Sequence, residues 1–117
     1  DIITLHIPHI NATHYLLDAE AFKQMKYGVR IICAARGGVI EESALLAALE
    51  SGKVAAAALD VYEKEPPGAS PLALHPHVIG TPHIGAQTKE AQLRAGHDIV
   101  SEVVAALEGE PLRWKIV

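Results

Sequence analysis

The chain has 117 residues, half of them apolar, with ten Lys or Arg against 14 Asp or Glu and a formal net charge of −4. That length suits one domain with a real hydrophobic core. Scattered basic residues and an aromatic share of 4% argue against a nucleic-acid partner, and no run reaches the roughly 18 apolar residues of a membrane span.

The start of the chain carries no basic, apolar, small-residue leader pattern, so a cytoplasmic address is expected. It opens on Asp1, and "DIITLHIP" reads as a strand at once, so the chain is expected to begin inside a larger fold. Residues 2–7 form that first strand, bounded by Pro8. A loop with Pro8 and Asn11 as breakers follows, and Asp18 offers a cap for a short helix, "AEAFKQMK", ending near Gly28. "VRIICA", residues 29–34, is a second strand, so continuously apolar that cover on both faces of a parallel sheet is expected. Cys33, the single cysteine, reads there as a small buried hydrophobe. "EESALLAALESG" is a helix with Leu45, Leu46 and Leu49 on one face, two acids in its first turn and Gly52 as its stop.

"VAAAALDV", residues 54–61, is ambiguous, because alanine favours helix; its length and the preceding Gly52 decide for strand. A proline-rich loop leads to a short fourth strand, "HVIGTP". From about Thr88 to Glu108 the spacing of Ala95, Ile99, Val103 and Leu107, with Val100 and Val104 beside them, predicts a long helix closed by Gly109. The tail "EPLRWKIV" is too short to assign, with Trp114 a candidate to dock on a neighbouring surface. The alternation predicts an α/β fold with a parallel sheet, and right-handed crossovers are expected to put helices on both faces.

Ligands of open parallel sheets sit beyond the carboxyl ends of the strands. There the sequence places His6 and Pro8, then Arg36, Gly37 and Gly38, then Asp60, Glu63 and Glu65, then His83 and Gly85. An arginine in that place can hold a small carboxylate by two parallel hydrogen bonds, and the glycines allow another backbone or a ligand to approach closely. The alternative is a surface pair with Glu41 or Glu42. A carboxylate beside an imidazole fixes its tautomer and favours its protonated form, which suits carbonyl–alcohol interconversion; Glu65 and His83 are the candidates, the alternative being a solvated loop. Zinc at His6, His9 and His14, or at the "HPH" histidines with His83, is conceivable, but there is no Cys pair and no H-E-x-x-H, and proline interrupts both clusters. No metal is expected.

"RGGVIEESALLAALESGKVAAAALDVYEKEP" followed by "HVIGTPHIGAQTKEAQ" resembles the NAD-dependent D-2-hydroxyacid dehydrogenases over nearly the whole chain. The end of the second motif is most similar to the branch that oxidises 3-phosphoglycerate. The resemblance implies that Arg36 orients the substrate carboxylate, that His83 is the acid–base and that Glu65 is its carboxylate partner. It implies a cofactor-binding set of His6, Ile7, Pro8, Ala34, Ala35, Arg36, Asp60, His83, Ile84, Gly85 and Ala86. His6 to Pro8 would lie near the adenosine, Asp60 at the nicotinamide amide, and the alanines with Gly85 round the nicotinamide. The resemblance further implies that hydride would pass to NAD⁺ from the carbinol carbon while His83 takes the hydroxyl proton.

The chain departs from the family at Cys33, where Asn is usual, at Ala34 for Thr or Cys, at Glu41 for Asp and at Gln87 for Ser. Neither the G-x-G-x-x-G turn nor the acid about 20 residues on that grips the ribose is present. The expected organisation is therefore the second half of a Rossmann-type domain over residues 1–109, with 110–117 leading to a substrate domain. The isolated piece is expected to be inactive. The other reading is a non-catalytic half-domain with weak or no cofactor binding that self-associates, and a homodimer is expected from its uncovered sheet edge.

Overall fold

A computed structural model of the chain describes residues 1–115 and divides into two compact units, one of Asp1–His83 and one from Ile84 onward. In the first unit the elements run β1 (Ile2–Leu5), α1 (Ala19–Gln24), β2 (Val29–Cys33), α2 (Glu42–Glu50), β3 (Val54–Leu59) and β4 (Val78–Gly80). The strands form one wholly parallel sheet in the order β1-β2-β3-β4. Thus the expected α/β architecture is present, and the alanine-rich segment is a strand. β1 is shorter than expected, leaving His6 and Ile7 outside the sheet, and β4 is three residues long.

The helices correct one expectation. α1 and α2 pack against each other and α2 packs on β3, so both lie on one face of the sheet instead of on two. Successive right-handed crossovers that step across a sheet in one direction put their helices on the same side. The strands agree: Val29, Ile31 and Cys33 of β2 are buried whereas Arg30 and Ile32 are exposed, an alternation that marks one covered face. Register aligns Ile31 with Ala57 and Cys33 with Leu59 beneath the helices, while Thr4, Ile32, Ala58 and Ile79 line up on the other face, where Ile79 is 72% exposed.

The core is centred on Ile31, Val39, Leu45 and Val54, with Leu49, Phe22 and Cys33 around them. Each fully buried aliphatic side chain contributes about 1.5–3 kcal/mol. Leu45 and Leu49 are buried as expected; Leu46 is partly buried. Asp18 caps α1 by accepting from the Ala21 N–H at 2.8 Å. Glu41, at the N-cap of α2, makes no such bond; its carboxylate accepts from the Ser43 hydroxyl.

In the second unit, α3 (Lys89–Glu108) is capped by Thr88, whose hydroxyl accepts from the Ala91 N–H, and is closed by Gly109 at φ 74°. None of its residues is buried, and Ile99 and Leu107 are 67% and 83% exposed. The tail turns back on the helix: the Arg113 and Trp114 N–H groups donate to the Glu102 carboxylate, and Trp114 lines a hollow with Ala95, Ile99 and Leu112. No helix among the described residues is long and apolar enough to cross a membrane.

Candidate active site

Because all four strands are parallel, their carboxyl ends share one rim. Over the ends of β1 and β2 lies a cleft of about 580 Å³ lined by His6, Ile7, Pro8, His9, Ala34, Ala35, Arg36, Gly37, Tyr62 and Glu63. Its walls are loops tied together by main-chain bonds. The Ala34 N–H donates to Leu5 O, extending the ladder one residue past β2, and the Tyr15 N–H donates to Gly38 O at 2.8 Å.

Arg36 emerges where that ladder ends. Its Nη1 donates to Ala35 O at 2.7 Å, which folds the side chain back along its own strand end. Among the described residues it forms no ion pair, so the alternative of a surface pair with Glu41 or Glu42 is overturned. The Glu42 carboxylate instead accepts from the Glu63 N–H, and the Glu63 carboxylate accepts from the Glu42 N–H at the first turn of α2. Glu63 therefore supplies the cap that Glu41 does not. Its charge also raises the pKa of the Tyr15 phenol beside it.

The two glycines after Arg36 make room for different neighbours. A Cβ on Gly37 would overlap the Tyr62 carbonyl oxygen and stand 2.9 Å from Glu63 N, so the loop after β3 lies directly on the Gly37 backbone. Gly38, at φ 80°, adopts a conformation that other residues rarely take, and a Cβ there would meet the His9 ring at 3.0 Å.

Glu65 and His83 come together over the β3–β4 side of the rim. His83 Nδ1 lies 2.7 Å from Glu65 Oε2, and the Tyr62 N–H donates to Glu65 Oε1 at 3.1 Å. A carboxylate can only accept, so Nδ1 carries the proton and Nε2 is left as the exchanging nitrogen. The His83 bond first, and then the Tyr62 N–H, hold the Glu65 carboxyl below the usual carboxylate range, against the opposing effects of burial and of Asp60. His83 has φ 54°, in the left-handed region, which for a non-glycine residue marks a backbone fixed by its surroundings. Its N–H donates to Thr81 O.

Of the residues singled out in the sequence, His6, Ile7, Pro8, Ala34, Ala35 and Arg36 line the cleft. Asp60 is buried beneath the rim, its N–H donating to Cys33 O and its carboxylate accepting from the Thr81 hydroxyl. Glu65 and His83 form their pair outside the cleft lining. The link between the two groups is Tyr62, which touches Gly37 on one side and Glu65 on the other. Ile84, Gly85 and Ala86 belong to the second unit, where a turn closes with Gln87 N–H donating to Ile84 O. His9 and His14 approach to 3.0 Å and His14 stacks on Tyr15, but among the described residues no group of three His, Cys, Asp or Glu comes together as a metal would require. Sequence reasoning missed Tyr62 and the capping role of Glu63. The sign available was an aromatic residue three positions ahead of Glu65 in a loop rich in charges and prolines.

Comparison with known proteins gives the family. Residues 1–85 match the family model for the D-isomer specific 2-hydroxyacid dehydrogenase, NAD binding domain. The D-3-phosphoglycerate dehydrogenase of Bacillus subtilis is 53% identical over 112 residues, which is 96% of this chain and 21% of that relative. A D-lactate dehydrogenase from Treponema pallidum superposes with a TM-score of 0.91 at 35% identity, over all of this chain and 40% of that one. The Aquifex aeolicus D-lactate dehydrogenase, solved with NAD and lactic acid, gives a TM-score of 0.85 at 33% identity, over 94% of this chain and 38% of that one. The chain thus spans about a fifth of the length of the curated relatives it matches. It belongs to the D-isomer specific 2-hydroxyacid dehydrogenase family, as part of the NAD-binding domain.

Proposed function

We infer that the chain supplies the acid–base and carboxylate-orienting groups of an NAD-dependent enzyme that oxidises a small 2-hydroxy acid to the 2-keto acid. The identity to phosphoglycerate-oxidising relatives favours 3-phosphoglycerate as substrate. The observation that carries this reading is the Glu65–His83 pair at the carboxyl ends of the strands, with the 2.7 Å bond fixing the tautomer. His83 Nε2 takes the proton of the substrate hydroxyl, Glu65 stabilises the imidazolium that results, and the Arg36 guanidinium holds the substrate carboxylate. Bound NAD⁺ supplies the acceptor for the hydride.

The residues present fit that cofactor. The cleft is floored by the small side chains of Ala34 and Ala35, and the backbone there is drawn close by Gly37. His6, Ile7 and Pro8 would hold the adenosine side, and Asp60 with Ile84, Gly85 and Ala86 the nicotinamide side. In this reading residues 1–109 are the second half of the nucleotide-binding domain and 110–117 lead on to the substrate domain. A cytoplasmic setting belongs to the same proposal, since the reaction draws on the pool of free nicotinamide cofactor.

The test is His83→Ala in the longer dehydrogenase that carries this chain. Removing a general acid–base costs roughly 10²–10⁴-fold in turnover; an undiminished kcat refutes the assignment.

A second reading concerns the chain on its own. Ile2, Ile32 and Ile79 stand exposed on one sheet face, and α3 buries none of its apolar side chains, so self-association as a homodimer without catalysis is favoured. Sedimentation equilibrium at micromolar concentration checks it, and a stable monomer overturns it.

A further inference from the structure

Tyr62 lies at the centre of the rim, and its contacts run to each part of it. The residue is 6% exposed. Its N–H orients the Glu65 carboxylate from the side opposite His83. Its carbonyl rests on Gly37, next to Arg36, where any Cβ would overlap it. Its phenol head sits over Gly80, the last residue of β4 and three positions before His83. A Cβ on Gly80 would stand 2.5 Å from the Tyr62 hydroxyl oxygen but 3.6 Å from the ring carbon that bears it. The fit at Gly80 is therefore decided by one oxygen atom. Burial raises the pKa of that phenol, with the charge of Glu42 adding to the effect, so the group in contact with Gly80 is the neutral hydroxyl.

We propose that Tyr62 is a positioning residue: wedged between Gly37 and Gly80, it sets the placement of Glu65, and through Glu65 the tautomer and placement of the His83 imidazole relative to Arg36. This rests on the functional reading above, which makes His83 the acid–base. In this role the effect of Tyr62 passes through the Glu65 carboxylate. Shape and a main-chain donor carry that effect, because the N–H that holds Glu65 belongs to a residue whose two ends are pinned by glycines. A side chain at either glycine would move the donor and not remove it.

The prediction is a steric cycle. Gly80→Ala drives a methyl group against the hydroxyl and displaces Tyr62. In the 117-residue chain, the ¹⁵N shifts of the neutral His83 imidazole then change from a single Nδ1–H form to a mixture of tautomers. In the longer dehydrogenase, kcat falls roughly tenfold or more with a changed pH profile, since misplacement by about 1 Å can cost up to 10²-fold. In the Tyr62→Phe background the same Gly80→Ala change meets only the ring carbon, at ordinary contact distance. Its effect on kcat then shrinks to less than about twofold, and the tautomer stays single.

A merely structural role for Tyr62 would lower the melting temperature while leaving the imidazole spectrum and the pH profile untouched, and that result overturns the proposal. Should Gly80→Ala not fold, the double variant decides: a folded double variant with Nδ1–H at His83 supports the proposal, and one that is equally unfolded overturns it. Failure of the functional reading looks different. There His83→Ala keeps full turnover even though the tautomer still answers to the Gly80–Tyr62 cycle.

Discussion

Gly37→Ala is the substitution for which the structure gives the largest effect from the smallest change. The backbone of Gly37 has no positive φ, so alanine meets no conformational penalty there. What it meets is main chain: the added Cβ would overlap Tyr62 O, and would stand 2.5 Å from Tyr62 C and 2.9 Å from Glu63 N, where ordinary contact begins at 3.4 Å. The nearest atoms cannot rotate away as a side chain could, so the two loops have to part by about 1 Å. Overpacking of this kind costs about 1–3 kcal/mol. Rigid backbone on both sides puts Gly37 in the upper part of that range, and the lower entropy of an unfolded chain with alanine returns about 0.5 kcal/mol. The expected net loss is about 2 kcal/mol, or roughly 10 °C in the melting temperature of a unit this size. Urea unfolding followed by far-ultraviolet circular dichroism measures it. Gly96→Ala is the internal control: it sits inside α3, has no atom within 4 Å of the added methyl, and should gain about 0.5–1 kcal/mol of helix stability. A Gly37→Ala loss below about 0.5 kcal/mol refutes the packing on which the rim is built.

Leu45→Ala, at a fully buried position of α2, should cost about 2–5 kcal/mol by the same unfolding assay. Glu65→Gln should change how the melting temperature responds to acid. The Glu65 carboxyl is held below its ordinary range, so it adds stability that is present above that range and is lost as pH falls through its folded value. Melting temperatures read from pH 7 down to 3 should therefore decline less steeply in Glu65→Gln, with a modest difference because the group is partly exposed. Thr88→Ala removes the hydroxyl that caps α3, and a loss of about 1 kcal/mol should appear as reduced helicity.

The parts of the fold that could be read in the sequence are those set by local chemistry. Asp18 and Thr88 are capping residues by type, and each caps. Gly109 ends α3 in the left-handed conformation that glycine adopts without strain. β3 was the harder case, since four alanines in a row favour helix. The strand forms because the parallel register with β2 places Ala57 under the helices and Ala58 on the opposite face, a tertiary demand that outweighs intrinsic propensity. Reading the apolar run of β2 as covered on both faces failed for a related reason. Ile32 is as apolar as Ile31, and composition alone does not say which of the two a helix will reach.

The rim divides along the same line. Arg36, Glu65 and His83 are polar residues among apolar or proline-rich neighbours, and such exceptions stand out in a sequence. Gly37 could be read as a site of close approach, but nothing in a linear chain names what approaches it, and Gly80 reads only as part of a strand. The answer in both cases is Tyr62, which the sequence places in a proline-rich loop and the structure buries with the core. Its two functions as core filler and as spacer are one geometry: the ring that completes the hydrophobic layer under β3 and β4 also fixes the N–H that holds Glu65. A carboxylate–imidazole pair held in loops, away from the regular hydrogen bonding of the sheet, has to import rigidity from somewhere. Here it comes from the core beneath, through a residue whose backbone faces the site and whose side chain faces the sheet.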